Sequence, residues 1–344
     1  MHTDQVLIVA SDAHRGHVAL ELDDGSMGPS VESPERADLI AAALRAAGHE
    51  FVEPAPLDGE LLRRVHDADY VDFLATAWER WVAEEKVAPA AMGFMWPTPG
   101  FVRRRPDDLV GQLGYHSFTA DTSIVAGTYA AATAAVAIAT TAADRMIETG
   151  AVTYGLCRPP GHHAMADQFG GYCFFNNAAV AAQRLRDHGL ARVAVLDVDY
   201  HHGNGTQSIF YDRGDVVFVS IHADPLEEFP WFAGFASERG DGDGEGATRN
   251  FALPKGADSA TWFAALSEAL EVIDEAAVDA LVISLGVDAF VDDPLGTFAL
   301  TTHDFTSAAE RIGALGLPTV VVQEGGYAVE ALGSNVTAFL DGLT

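Results

Sequence analysis

"VAVLDVDYHHGNGTQ", residues 193–207, begins as a strand made for burial and ends in titratable side chains. Val193, Ala194, Val195 and Leu196 suit a parallel sheet covered on both faces. Asp197, Asp199, His201 and His202 follow at once, and then Asn204 between two glycines. An unpaired carboxylate in such surroundings is costly, so partners or a cation must compensate for these.

Similar apolar, β-branched runs recur at Gln5–Ala10, Val152–Leu156, Arg192–Val198, Val216–Ile221, Ala280–Leu285 and Thr319–Gln323. Helical spacing fills Pro34–Ala47, Asn176–His188, Ser259–Glu275 and Phe305–Leu315 between them. The alternation predicts an α/β fold, a single-domain open and mostly parallel sheet with helices on both faces. No low-complexity linker or repeat divides residues 1–344, so one domain is expected. Two segments interrupt the pattern. Lys86–Gln112, rich in Pro, Gly, Met and aromatics, is expected to be a long ordered loop acting as a lid or interface. Glu238–Ala247 is expected to be a flexible, solvated loop.

The 344 residues are 49% hydrophobic and 20% charged, a globular composition. Twenty basic side chains stand against 50 acidic ones, a net charge of −30. That balance argues against nucleic acid and anionic membrane as partners, because Arg103–Arg105 is too short a basic run to serve. A negative field favours cationic ligands, although acidity also simply keeps a protein soluble. Cys157 and Cys173 are too few for a disulfide framework and suggest buried free thiols in a reducing, cytoplasmic compartment. "MHTDQVLIVASD" lacks a basic n-region and is expected to be a strand rather than a signal peptide. Residues 122–143 carry no charge but are mostly Ala and Thr, which predicts a buried core helix rather than a membrane span.

In open α/β sheets ligands bind beyond the carboxyl ends of the strands. Five strand ends are followed by ligand or acid–base groups: His162 and His163; Asp199, His201 and His202; His222 and Asp224; Asp288; and Glu324 with Tyr327. Asp199 and His201 alternate on an extended backbone and point the same way. With Asp288 they make two carboxylates and one imidazole, a set that neutralises a dication and leaves positions open. An Asp-x-His pair alone is more often a cap or salt bridge. The company of Asp288, His162, His163 and Tyr327 reverses that preference.

"RPPGHHA", "GGYCFFNNAAVAA", "LDVDYHHGNGTQSIFY", "SLGVDAF" and "EGGYA" resemble, in order and over nearly the whole chain, the histone deacetylase superfamily of arginase-like fold. "AWERW", "MWPTPG", "GQLGY", "FGGYCFFNN" and "LDDGSMGPSVESPERADLI" are most similar to its bacterial acetylpolyamine amidohydrolase branch. The resemblance implies zinc, or ferrous iron, on Asp199, His201 and Asp288. It implies His162 and His163 as the acid–base pair and Tyr327 as the carbonyl-polarising hydroxyl. Asp197 would support His162 and lie against a structural potassium ion. The Ser220 hydroxyl and the carbonyls of Asp199, His201 and Ile221 would complete that ion's shell. Asn204 would orient His163, and as an amide, where many relatives carry aspartate, leave it less basic. Tyr172, Phe229 and Gly171 would line the substrate tunnel. His116 stands where histone deacetylases carry a rim aspartate that grips the peptide backbone, which favours a small free amine. The 86–112 insertion would narrow the entrance by homodimer formation.

These residues imply hydrolysis of an acetyl amide, with His163 taking a proton from water and Tyr327 holding the oxyanion. The expected substrate is an acetylated polyamine or similar small cationic amine; the alternative is acetyl-lysine in proteins or peptides. Acids near the lid, Asp107, Asp108 and foremost Asp121, are candidates to attract distal ammonium groups. A non-catalytic binder would lack one of the chemical positions, and all are filled. An arginase-like ureohydrolase needs more metal-bridging aspartates than this rim offers. His202 is assigned to the turn rather than to the chemistry.

Overall fold

The computed structural model describes residues 6–23 and 25–344; Gln5 of the first predicted strand and Asp24 of the "LDDGSM" stretch lie outside them. The described residues form ten strands: β1 Leu7–Val9, β2 Leu20–Asp23, β3 Ser26–Pro29, β4 Glu50–Val52, β5 Thr153–Gly155, β6 Val193–Asp197, β7 Val216–Ala223, β8 Thr248–Leu253, β9 Ala280–Leu285 and β10 Thr319–Gln323. Eight of them form one sheet in the order β4-β1-β5-β10-β9-β6-β7-β8, with every pairing parallel. β2 and β3 form a separate antiparallel hairpin.

The continuous apolar runs follow from burial on both sheet faces. Val193 and Val195 of β6 enter one core, which they share with helices 68–83, 128–149 and 177–187. Ala194 and Leu196 enter the other, against helices 34–46, 259–275, 302–313 and 332–343. The uncharged segment around residue 130 is the buried helix Thr128–Thr149, closed by Gly150 in the left-handed region. Among the described residues no helix is long and apolar enough to cross a membrane. Cys157 and Cys173 are buried free thiols.

β4 and β8 escaped the sequence analysis because they are edge strands. β4 is three residues long and partly exposed, and β8 alternates buried and half-buried positions, so neither makes a continuous apolar run. The 302–313 helix starts three residues before the predicted Phe305, where Asp304 accepts from the Thr301 N–H and hydroxyl. The Lys86–Gln112 stretch is mostly irregular, but its last residues open the helix Leu109–Tyr115, capped by Asp108 through the Val110 and Gly111 N–H groups. Glu238–Ala247 is pinned rather than loose. The Glu238 carboxylate accepts from the N–H groups of Gly234 and Phe235 and from Gln207 Nε2, and a short 3-10 turn spans Gly242–Gly244.

The sheet order explains the rim. The five strands whose ends carry chemistry, β5, β10, β9, β6 and β7, are consecutive neighbours. Asp197, the last residue of β6, is in register with Ser220 on β7 and Ser284 on β9.

Candidate active site

Asp199, His201 and Asp288 converge beyond β6 and β9, with one ligand atom from each lying within 4.8 Å of the others. His201 Nδ1 stands 3.3 Å from Asp199 Oδ1 and 3.1 Å from Asp288 Oδ2. Backbone donors orient both carboxylates: Gly325 N–H gives to Asp199 Oδ2 at 2.8 Å and Tyr200 N–H to Asp288 Oδ1 at 2.8 Å. Position 325 must be glycine, since a Cβ there would meet Asp199 Oδ2 and Asp288 Oδ2 at 2.5 Å. Two buried carboxylates and an imidazole, held by outer hydrogen bonds, match the donor chemistry of a divalent metal with open positions.

The tandem histidines follow β5. Their turn is fixed by the Glu324 carboxylate, which accepts from Gly161 N–H at 2.6 Å and His162 N–H at 3.1 Å. The two rings lie 3.9 Å apart yet sit in opposite environments. Burial opposes charge on His162, but Asp199 and Asp197 outweigh it and raise its pKa to about 10; Asp197 Oδ2 is 3.0 Å from its Nδ1. His163 is pushed well below its ordinary value, first by burial and then by the neighbouring His162 and His201. Its Nδ1 is 2.7 Å from Asn204 Oδ1, so Nδ1 carries the proton and Nε2 keeps its lone pair. The amide's orientation is supported by Asn204 Nδ2, which donates to the His163 carbonyl.

Tyr327 follows β10 at the same centre. Burial raises its pKa well above the ordinary value despite the opposing Arg36, so its hydroxyl stays a donor. The Arg36 guanidinium lies over its ring, 4.6 Å from the centroid.

One cavity of about 640 Å³ joins these groups. Its lining includes His162, His163, Asp199, His201, Gly171, Tyr172, Asp121, Phe229 and Tyr327, all singled out from the sequence. Gly171 has φ +56°, and a side chain there would meet the His163 ring at 2.5 Å. The ring facing Phe229 is Phe118, stacked at 6.4 Å, while Tyr172 lies nearer Tyr327, with centroids 6.0 Å apart. Phe118, Trp96 and Glu21 also line the cavity and escaped the sequence analysis; Glu21 sits on the β2–β3 hairpin, which reads as surface.

Two expectations are corrected. His116 does not line the cavity: it is buried, stacked on Phe73 at 4.7 Å, with Nδ1 2.9 Å from the Asp167 carbonyl. Asp121 lines the cavity wall, where its Oδ1 accepts from the Thr119 and Thr122 hydroxyls at 2.5 Å and from Gly171 N–H. Asp107 and Asp108 are outside the cavity lining, and Asp108 is the helix cap described above.

His202 packs against His222 with centroids 4.5 Å apart and meets Gln207, consistent with a place in the turn. His222 bridges Ser220 Oγ and the Gly234 carbonyl, and Asp224 accepts from Leu226 N–H, so neither joins the metal-ligand cluster.

This geometry agrees with the comparisons. The histone deacetylase domain family matches residues 30–343. Acetylpolyamine amidohydrolase 2 of Pseudomonas aeruginosa is 47% identical over 98% of both chains. The acetylpolyamine amidohydrolase of Mycoplana ramosa is 45% identical over 98% of this chain and 99% of its own. The crystal structure of acetylpolyamine aminohydrolase from Burkholderia pseudomallei superposes with a TM-score of 0.94, at 40% identity and 98% coverage of each chain. The chain belongs to the histone deacetylase family. It is accordingly a metal-dependent hydrolase of amides.

Proposed function

We propose that this enzyme removes the acetyl group from acetylated polyamines, or similar small cationic amines, releasing acetate and the free amine. The observation that carries the reading is the charge of the cavity. Glu21, Asp121 and Glu228 line it, while among the described residues no lysine or arginine does. Asp121 Oδ1 accepts from two hydroxyls and an N–H, Glu228 is paired with Lys255, and Glu21 Oε2 accepts from the Ser30 hydroxyl; with fewer partners than Asp121 and no lysine against it, Glu21 is the candidate to meet a distal ammonium. The near-full-length relatives named as acetylpolyamine amidohydrolases support the same substrate class. The protein-deacetylase alternative is weakened because His116, at the rim aspartate position, is buried away from the cavity.

Asp199, His201 and Asp288 would hold zinc, with ferrous iron the alternative, and that ion supplies Lewis acidity at the scissile carbonyl. His163 Nε2 takes the proton of the attacking water, and its tautomer is set by Asn204. His162, held by Asp197, stands beside His163 for proton delivery to the leaving amine. The Tyr327 hydroxyl donates to the developing oxyanion. Phe118 and Phe229 form a slot for the methylene chain.

A potassium ion would be held by the Asp197 carboxylate, the Ser220 hydroxyl and the carbonyls of Asp199, His201 and Ile221. That all-oxygen set suits a hard cation, and Asp197 and Ser220 are register partners on adjacent strands. The enzyme would work in the cytoplasm as a homodimer. Phe94, Met95, Phe101 and Val102 of the 86–112 segment are exposed around an apolar groove, and Trp96 lines both that groove and the catalytic cavity. A substrate panel of acetylputrescine, acetylcadaverine, acetylspermidine and acetyl-lysine peptide tests the reading. Peptide turnover equal to that of the amines would overturn it.

A further inference from the structure

The catalytic tyrosine stands in a Gly-Gly-Tyr turn, yet that turn is clamped from two sides. On one side Arg36 donates from Nε to the Gly326 carbonyl at 2.5 Å and from Nη2 to the Glu324 carbonyl at 2.8 Å. The other side is held by Asp293, a residue in the connection that follows Asp288. Its Oδ2 accepts from Tyr327 N–H at 2.6 Å and from Ala328 N–H at 3.0 Å, and its Oδ1 accepts from Leu295 N–H at 2.9 Å. The carboxylate is buried at 5% exposure, where leaving three backbone donors unpaired would be expensive.

From this geometry we infer that Asp293 is a positioning residue for Tyr327, coupling the hydroxyl's location to the loop that carries the metal ligand Asp288. The inference rests on the reading of Tyr327 as the oxyanion donor. Gly325 is tied by its N–H to Asp199 and by its carbonyl to Val287 N–H and Gln323 Nε2, so the freedom left in the turn lies at Gly326 and Tyr327. Gly326 has φ +124°, a conformation open to glycine and strained for other residues, so the backbone on the N-terminal side of Tyr327 is intrinsically permissive. Hydrogen bonds to the tyrosine's own N–H and to the next residue hold its Cα against the Asp288 loop. An oxyanion donor has to be in place before charge develops, because preorganisation is what makes it effective. A displacement near 1 Å is enough to cost about 100-fold in rate.

The test is a double-mutant cycle of Asp293→Ala with Tyr327→Phe, read as kcat and KM on an acetylated polyamine with metal content measured in each protein. Asp293→Ala is expected to lower kcat by roughly 10- to 100-fold with little change in KM. Loss of a single oxyanion donor costs about 10²–10³ in kcat, and displacement cannot exceed loss. In the Tyr327→Phe background Asp293→Ala is expected to have almost no further effect, since the group it positions is already gone. Asp293→Asn keeps one carbonyl acceptor and is expected to lose less than Asp293→Ala. It is carried through the same cycle and serves alone if the alanine variant melts below the assay temperature. Full additivity in the Tyr327→Phe background would overturn the proposal, as would a rise in KM at unchanged kcat, which would assign Asp293 to holding Leu295, a residue of the cavity lining. Normal turnover by Tyr327→Phe alone would instead overturn the role of the tyrosine on which the inference rests.

Discussion

Replacing Asn204 by aspartate probes the charge balance of the site at a single atom. The amide oxygen is 2.7 Å from His163 Nδ1, so the substitution places a carboxylate against the proposed base, at the cost of the hydrogen bond that Asn204 Nδ2 gives the His163 carbonyl. A unit charge about 4 Å from the imidazolium centre is worth ~4 kcal/mol at an effective dielectric near 20. Divided by ~1.4 kcal/mol per unit, that is at most about 3 pKa units. Burying the new carboxylate near Asp197 and Asp199 reduces the gain, so a rise of about 1–3 units is expected. His163 starts well below its ordinary value, held down by burial and by His162 and His201. Because the base must be neutral to accept a proton, raising its pKa moves the acidic limb of kcat/KM to higher pH. The assay is the pH profile of kcat/KM for an acetylated polyamine, with native and variant enzymes at matched metal content. Asn204→Asp is expected to lose activity at mildly acidic pH and keep it on the alkaline plateau. A limb that stays in place, or moves to lower pH, refutes the assignment of His163 as the base tuned by this amide.

Tyr327→Phe is expected to lower kcat by about 10²–10³ with KM nearly unchanged, since it removes an oxyanion donor and leaves the cavity walls in place; steady-state kinetics retaining more than a tenth of kcat would contradict this. Chelation is expected to abolish activity, and saturating zinc at about 1,000 times its Kd should stabilise the apoenzyme by about 4 kcal/mol. In calorimetry that shift should disappear in Asp288→Ala, and its persistence would place the ion elsewhere. His17 and His66, both pushed to about 4 by burial, set an acid dependence of stability. Protons bind the unfolded chain below about 6.5 but the folded one only near 4, so stability is full above 6.5. It should fall by up to ~1.4 kcal/mol per pH unit for each histidine as pH drops across that window. Equilibrium denaturation of His66→Gln should show a shallower fall than the native enzyme, and an equal slope would contradict the assignment.

The parallel sheet was legible because strands buried on both faces must be continuously apolar, and six of them were found with ends displaced by at most two residues. The convergence of Asp199, His201 and Asp288 was legible for a related reason. Asp199, His201 and Asp288 interrupt or terminate apolar runs where uncompensated carboxylates would be untenable. What stayed hidden depends on which way a side chain turns. His116 belongs to a helix end whose inward face meets Phe73, and nothing in "LGYH" separates that face from the rim. Glu21 and Asp293 reach the site from a hairpin and an irregular connection, where no periodicity reports direction. Arg36 lies on the helix Pro34–Ala46, and its role over Tyr327 is set wholly by tertiary packing.

The cavity is proposed to hydrolyse acetyl amides of small cationic amines. The most direct test is the ratio of kcat/KM for acetylputrescine to that for an acetyl-lysine peptide, measured with zinc-loaded enzyme and repeated with Glu21→Gln. The native enzyme is expected to favour acetylputrescine, and Glu21→Gln to reduce that preference mainly through a higher KM for the amine. A ratio at or below one in the native enzyme would contradict the account.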